Sequence, residues 1–268
     1  LPESAITQRE MDLAASIQAV IEEVVLRLTR SLGKQLQTKN LCLAGGVALN
    51  CVANGKVLKD AIFENVWIQP AAGDAGGAIG AALAAYHLYL GGERHVYTNL
   101  DGMSGAFLGP TFEQFEIETR LKKVGAAFDV LNEDQLISKT ADKLTSGEAV
   151  GWFQGRMEFG PRALGGRSIL GDPRCPNMQQ TLNLKVKYRE SFRPFAPSVL
   201  MEDVADWFEI DKPSPYMLFV SEIKKSRRKK MTAAQEELFG LEKLNIARSD
   251  IPAVTHVDYS ARIQTVHS

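Results

Sequence analysis

The sequence predicts an α/β fold, and two strand–turn–helix units in tandem are the main support for this prediction. The short apolar run 41–44 leads into Gly45-Gly46, after which residues 47–58 can form a helix. The apolar run 66–68 leads in the same way into a glycine-rich turn and an alanine-rich segment. Two such units are typical of an α/β layer, in which helices cover a sheet.

Length and composition are those of an ordinary globular protein with two domains. The chain has 268 residues, of which 45% are hydrophobic and 24% are charged, and this length is sufficient for two hydrophobic cores. Any helical or strand periodicity breaks over residues 91–110, where glycines cluster. We therefore place an interdomain connector there and predict domains at residues 1–100 and 101–268.

Individual elements can be predicted in both halves. Thr7 and Glu10 form a capping-box pattern ahead of apolar residues at helical spacing, which predicts a long amphipathic helix. The residues of its apolar face are Leu13, Ile17, Val20, Val24 and Leu28. In the second half, residues 128–131 and 149–153 are predicted strands, and Asn132 is predicted to cap a helix between them.

Charge, cysteine content and hydropathy argue against several classes of protein. The 31 basic and 32 acidic side chains give a net charge of −1, which argues against a general nucleic-acid or membrane binder. No stretch approaches the roughly 18 apolar residues of a membrane span. Three cysteines without a pairing pattern favour buried thiols in a reducing, cytoplasmic compartment. A start at Leu1, with neither an initiator methionine nor a signal peptide, favours an excised or processed fragment.

The segment 155–193 is the strongest candidate for a binding site. Its arginines lie among glycines and prolines, as at Arg162 and Arg193. A guanidinium presents a fixed fork of donors to phosphate or carboxylate oxygens, and glycine and proline hold the backbone in a turn. Because the segment follows the predicted strand 149–153, it lies at a strand end, where ligands bind in open α/β sheets.

Five cations in this segment are candidate anion ligands. They are Arg156, Arg162, Arg167, Lys187 and Arg193. Each charge-assisted hydrogen bond contributes about 1.5–3 kcal/mol, so two or three suffice for a phosphate. The other cations can pair with Glu158, Asp172 or Glu190. An exposed basic loop with incidental salt bridges is the alternative interpretation.

The two glycine turns are weaker candidates. Backbone N–H groups at the start of a helix can bind a phosphate. Close packing of a helix on a strand requires glycine equally well, so Gly45 and Gly46 leave both explanations open. Asp74, between Gly73 and Gly76, could reach a metal ion near such a phosphate, or could cap the helix that follows.

Four ordered segments together resemble the nodulation-type O-carbamoyltransferases. They are residues 45–50, 69–76, 155–174 and 192–198, and the similarity runs along most of the chain. The resemblance implies that residues 1–100 are the C-terminal part of an actin/hexokinase-like (ASKHA) nucleotide-binding domain. It also implies that residues 101–268 are most of a YrdC-like carbamoyltransferase C-terminal domain, an α/β domain with a twisted sheet.

The function implied by the resemblance is an ATP-dependent transfer of the carbamoyl group of carbamoyl phosphate to a hydroxyl of a small molecule or sugar, through a carbamoyl-adenylate. The residues implied to lie against ATP are Gly45, Gly46, Asn50, Gly73 and Gly76. The implied ligand of a divalent metal ion, Fe or Mg/Mn, is Asp74. The catalytic residues implied to bind carbamoyl phosphate are Arg162, Lys187, Arg193 and Arg262.

The sequence also departs from this family. The family's nucleotide domain supplies two metal-binding histidines at H-x-x-x-H spacing, and none of the four histidines here reproduces that pair. The similarity stops at Ser268, short of a further family segment, so we expect the chain to fold but to be inactive alone. Two alternatives remain open: a non-catalytic fragment that binds a nucleotide or anion, and a protein of the tRNA threonylcarbamoyl-adenosine pathway. The near-neutral charge argues mildly against the second.

Overall fold

The computed structural model describes residues 6–96 and 101–267, which form a mixed arrangement of helices and strands. The helices are α1 (Gln8–Leu36), α2 (Cys51–Asp60), α3 (Asp74–Ala84), α4 (Gln114–Lys123), α5 (Glu133–Thr145), α6 (Met178–Thr181), α7 (Val204–Trp207) and α8 (Ala233–Glu236). The strands are β1 (Asn40–Leu43), β2 (Asn65–Ile68), β3 (Val150–Phe153), β4 (Arg167–Leu170), β5 (Ser198–Leu200), β6 (Phe219–Glu222) and β7 (Ser260–Val266). The predicted α/β class is confirmed.

The N-terminal unit is built on a parallel pair of strands, β1 and β2. Each strand runs into a glycine turn and then a helix, α2 after β1 and α3 after β2, as the sequence predicts. Val25 and Leu26 of α1 pack with Val57 of α2 against this pair. Helix α2 begins only at Cys51, because Asn50 caps it, so the helix predicted over 47–58 starts later than expected.

Helix α1 begins where the sequence predicts, since Thr7 and Glu10 form the capping box. Its predicted apolar face is nevertheless not buried: Leu13 is 62% exposed and Ile17 is 58% exposed. The helix contacts the rest of the chain through a different face, which buries Glu22. The packing expected for the apolar face is therefore not made by the described residues.

Two further sheets form the C-terminal part. Strands β3 and β4 are an antiparallel pair, and β7 is the centre of a three-stranded sheet, parallel to β5 and antiparallel to β6. Ala261 and Ile263 of β7 lie in a core with Phe208. Because successive strand residues point to opposite faces, Arg262 and Gln264 lie on the other face of β7.

A hydrophobic core connects the N-terminal unit to the C-terminal part. It contains Ala48 from the first glycine turn together with Met103 and Leu164. Met103 lies within the predicted connector 91–110, so part of that segment is core and not exposed linker. Residues 97–100 of the connector lie outside the described residues, and the division of the chain at residue 100 stays a prediction.

Two local expectations are wrong. Residues 128–131 form no strand, because a strand needs a hydrogen-bonded neighbour and no described segment pairs with this one. Cys42 is exposed on β1 and not buried. None of the helices in residues 6–96 and 101–267 has the length and apolar character needed to cross a membrane.

Candidate functional site

A cavity of about 780 Å³ brings together cations from three distant parts of the chain. All four residues predicted to bind carbamoyl phosphate line it: Arg162, Lys187, Arg193 and Arg262. Two more cations line it as well, Arg167 and Arg189. Arg156 does not, and its Nη1 donates instead to the carbonyl oxygen of Gly109 at 3.0 Å. The cavity is therefore strongly positive.

The arginine loop, residues 154–166, connects β3 to β4 and folds tightly against the N-terminal unit. Gly160 has a φ of +127°, a conformation that favours glycine, and a Cβ atom there would lie 3.3 Å from the carbonyl oxygen of Pro70. Nη2 of Arg162 donates to the carbonyl oxygen of Leu49 at 3.3 Å. The loop that carries Arg162 thus contacts the first glycine turn at Leu49 and the second at Pro70.

The buried carboxylate of Glu158 fixes the shape of the arginine loop. Its Oε1 accepts hydrogen bonds from the N–H groups of Leu164 at 2.6 Å and Gly166 at 2.8 Å, and its Oε2 accepts one from Nε of Arg167 at 3.1 Å. Burial by itself raises the pKa of this carboxyl, but the hydrogen bonds outweigh burial, and the pKa lies below its usual value. Glu158 is therefore ionised at neutral pH, and Arg167 is paired with it.

Arg162 and Arg262 are the two cations of the cavity, among the described residues, that have a buried donor without a partner. Burial lowers the pKa of Arg262, and the positive charges of Arg162 and Arg189 lower it further. The Nε atoms of Arg162 and Arg262 are buried, and neither has a hydrogen-bond partner within the described part of the chain. A buried donor without a partner costs about 1–3 kcal/mol. An anion in the cavity would supply the opposite charge.

The other side of the cavity is formed by the segment after α6. Arg193 forms an exposed ion pair with Glu190, with 2.7 Å between Nε and Oε2. Nε of Arg189 donates to Oδ1 of the buried Asn183 at 2.6 Å, and burial followed by the charge of Arg193 lowers the pKa of Arg189. Arg189 was not selected from the sequence, although its place in the basic run 185–189 is a signal that could have found it.

The residues predicted to lie against ATP occupy the two glycine turns, which contact each other. Gly45 has a φ of +95°, and its N–H donates to the carbonyl oxygen of Ala72 at 2.9 Å. The side chain of Asn50 accepts a hydrogen bond from the N–H of Ala53 at 3.1 Å and so caps α2. Both residues have structural roles that do not require a ligand.

Of the other glycines predicted to lie against ATP, Gly76 is required for packing, whereas Gly73 and Gly46 are not. A Cβ atom at Gly76 would lie 2.2 Å from the carbonyl oxygen of Ala71, which only glycine permits. At Gly73 the nearest atom, in the side chain of Leu49, would lie at an ordinary 3.6 Å. No described atom would lie within 4 Å of a Cβ atom at Gly46. The space beside Gly46 is therefore open to a ligand.

Asp74, the predicted metal ligand, is the first residue of α3 and is exposed. The part of the chain that the structure describes contains no group of three or more His, Cys, Asp or Glu side chains arranged to hold a metal ion. Asp74 offers one carboxylate, which by itself does not form a metal site. Its role as a metal ligand, and the contact of the glycine turns with ATP, stay predictions.

Two family models match the chain on either side of the connector. A model described as the carbamoyltransferase N-terminus matches residues 2–83, which include both glycine turns. A model described as the carbamoyltransferase C-terminus matches residues 141–268, which include the arginine loop and Arg262.

Curated relatives agree with these matches. An uncharacterized protein of Synechocystis sp. is 63% identical over 268 residues, which are 99% of this chain and 43% of that protein. Nodulation protein NolNO of Sinorhizobium fredii is 39% identical over 97% of this chain and 35% of its own length. Nodulation protein NolO of Bradyrhizobium diazoefficiens is 38% identical over 97% of this chain and 44% of its own length. The chain spans less than half of the length of each of these relatives. As its four ordered segments predicted, the chain belongs to the nodulation-type carbamoyltransferase family.

Proposed function

We propose that the cavity is the carbamoyl phosphate site of an O-carbamoyltransferase, which transfers the carbamoyl group to a hydroxyl of a small molecule or sugar. The observation that carries this proposal is the pair formed by Arg162 and Arg262. Both Nε donors are buried without a partner among the described residues, and the two cations repel each other. A phosphate dianion held between the two guanidinium groups would replace the repulsion by attraction.

These side chains can act on the reaction through charge. When the bond between the carbamoyl carbon and a phosphate oxygen breaks, the leaving oxygen keeps the electron pair and gains negative charge. Preplaced guanidinium groups stabilise that charge, and the effect is larger in a site that excludes water. Water bonds to the carbamoyl carbon as that bond breaks, which gives carbamate and phosphate. After ATP has adenylated the carbamate with release of pyrophosphate, the hydroxyl oxygen of the acceptor bonds to the carbamoyl carbon, AMP leaves with the electron pair, and the hydroxyl proton passes to solvent. No nucleophilic side chain is needed for this reaction. The hydroxyl of Ser168, which lines the cavity, has a structural role instead, since its Oγ accepts a hydrogen bond from the N–H of Gly165 at 3.0 Å.

We propose further that ATP binds the glycine turns and that the transfer passes through a carbamoyl-adenylate. The contact of Arg162 with the carbonyl oxygen of Leu49 supports this, because it places the cavity next to the turn that contains Gly46. The open space beside Gly46 also supports it. A divalent metal ion, Fe or Mg/Mn, is proposed from the family resemblance alone. The described residues offer it only Asp74, so we derive no step through the metal.

Calorimetric titration of the 268-residue chain with carbamoyl phosphate, and separately with inorganic phosphate, tests the proposal. We expect tighter binding of carbamoyl phosphate. Replacing Arg262 by glutamine (Arg262→Gln) removes one charge-assisted hydrogen bond and should lower the affinity by about ten- to a hundredfold. Arg174→Gln is the matched control, because Arg174 pairs with Asp172 outside the cavity and its loss should leave the affinity unchanged.

Other outcomes would contradict the proposal in distinct ways. Equal affinity for the two ligands would favour a non-catalytic anion site. Unchanged affinity in the Arg262→Gln variant, with the fold intact, would show that carbamoyl phosphate does not bind in this cavity.

A further inference from the structure

We propose that Glu158 and Gln264 are positioning residues that hold Arg162 beside Arg262 before an anion binds. This inference rests on the proposed function of the cavity. It adds the residues that keep the cavity assembled while it is empty.

The need for such residues follows from the charges. Burial is the main cause of the lowered pKa of Arg262, and the charge of Arg162 lowers it further, so the two guanidinium groups destabilise each other when no anion is present. Arg262 lies on β7, the central strand of its sheet. Arg162 lies on the arginine loop, which has no regular structure around it. The loop is therefore the part that would move away if nothing held it.

The loop is held at Leu164 from two sides. The N–H of Leu164 donates to Oε1 of Glu158 at 2.6 Å, and its carbonyl oxygen accepts from Nε2 of Gln264 at 2.8 Å. The side chain of Leu164 is buried in the core that connects the two parts of the chain. Leu164 lies two residues after Arg162, so its position determines where the Arg162 side chain leaves the loop.

Gln264 connects the loop to the strand that carries Arg262. The two residues are two apart on β7 and share one face of the strand. Oε1 of Gln264 accepts a hydrogen bond from Oγ of Ser198 on β5 at 2.9 Å, which fixes the orientation of the amide. Arg162 and Arg262 are thus both positioned relative to the same strand.

Glu158 holds the loop through its charge as well as its hydrogen bonds. Its side chain is fully buried and does not line the cavity. It pairs with Nε of Arg167 at 3.1 Å, and Nη2 of Arg167 donates to the carbonyl oxygen of Gly160 at 2.8 Å. One carboxylate therefore joins both ends of the loop segment 160–166 without touching the space where an anion would bind.

A double-mutant cycle with carbamoyl phosphate binding as its readout tests this inference. In Glu158→Gln, the amide oxygen can still accept hydrogen bonds from the backbone N–H groups. Its NH₂ group, however, faces the Nε donor of Arg167, so that hydrogen bond is lost together with the negative charge of the carboxylate. We expect Arg162→Gln to lower the affinity by about tenfold or more in the wild-type chain. In the Glu158→Gln background the same change should cost less than about threefold, because Arg162 is already displaced.

A matched control separates positioning from general loss of stability. Ser249 is buried and bonds to Oγ1 of Thr255 at 2.6 Å and to the N–H of Ile251 at 3.0 Å, away from the arginine loop. In the Ser249→Ala background, Arg162→Gln should keep its full effect on affinity. A coupling of the same size with Ser249→Ala would overturn the proposal.

The remaining outcomes distinguish this inference from the proposed function. An equal cost of Arg162→Gln in the wild type and in Glu158→Gln would overturn the positioning role. No cost in the wild type would contradict the proposed function itself. If Glu158→Gln does not fold, as judged by its thermal unfolding curve, the same double-mutant cycle with Arg162→Gln is measured with Gln264→Met in its place. This second variant removes the bonds to Leu164 and Ser198 without changing charge. Because Gln264 also lines the cavity, the cost of Arg162→Gln in this background, and not the variant's own affinity, supports or overturns the proposal.

Discussion

At the scale of single residues, the cations of the cavity divide into paired and unpaired ones. Arg167 is paired with the buried Glu158, and Arg193 is paired with Glu190 at the surface. Arg162, Lys187, Arg189 and Arg262 form no ion pair within residues 6–96 and 101–267. Because a carboxylate that already neutralises an arginine competes with an incoming anion, this division favours these four cations over Arg167 and Arg193 as anion ligands.

Gly46→Ala tests the predicted contact of the first glycine turn with ATP. No described atom would lie near the new methyl group, so we expect no loss in the free energy of unfolding. If ATP lies against this backbone, the methyl group should weaken ATP binding by about tenfold, since glycine permits the closest approach of a ligand. Calorimetric titration with ATP measures the effect, and Gly80→Ala, also in open space, is the control. Unchanged ATP affinity would mean that the nucleotide does not contact Gly46.

At the scale of elements, the sequence predicts helix caps reliably, whereas it does not show whether a predicted strand has a partner strand. The predicted cap of α5 is present, with Oδ1 of Asn132 accepting from the N–H of Gln135 at 2.9 Å. A cap depends only on residues within one turn, so the sequence contains all the information needed to predict it. The strand predicted at 128–131 failed because its formation depends on a distant partner segment.

Helix α3 offers a matched pair of glycines that tests where close packing requires glycine. A methyl group at Gly76 would meet the carbonyl oxygen of Ala71, whereas one at Gly77 would meet nothing within 4 Å. We expect Gly76→Ala to lower the free energy of unfolding by about 1–3 kcal/mol. Gly77→Ala should raise it by up to about 1 kcal/mol, because alanine favours the helix. Urea unfolding measures both, and equal effects would show that Ala71 moves aside without cost.

At the scale of the whole molecule, the core and the exposed surface are not where the sequence alone placed them. Met103 of the predicted connector is core, whereas the predicted apolar face of α1 is exposed. The exposed fractions along that face are 62% for Leu13, 58% for Ile17, 56% for Val20, 48% for Val24 and 59% for Leu28. Helical periodicity predicts which residues share a face, but it does not predict what covers that face.

A polar substitution on this face should therefore be tolerated. We expect Ile17→Glu to change the free energy of unfolding by less than about 0.5 kcal/mol, as at other exposed positions. Ile223→Ala, at a fully buried position, should lower it by about 2–5 kcal/mol. Urea unfolding compares the two variants. A large loss in Ile17→Glu would show that the face is covered in solution, and light scattering would then show whether a second copy of the chain covers it.

Sequence and structure together explain why the candidate site was only partly predictable. Arg162, Lys187, Arg193 and Arg262 were identified by residue type, order and family resemblance, and the fold brings all four to one cavity. Arg189 was missed because the basic run 185–189 indicates a cluster of cations but does not show which of them turns inward and which faces solvent. Its hydrogen bond to Asn183 exists only once the segment after α6 has folded.

The amino-acid sequence by itself determined the α/β class, the capped helices and the family. These features depend on residue types at short spacing, which act within a few residues of each other. Only the tertiary structure decided which cations are paired, that the carboxylate of Glu158 is buried, and that Arg162 lies near Arg262, 100 positions along the chain. Burial and charge pairing depend on contacts between distant segments, and these contacts form only when the chain has folded.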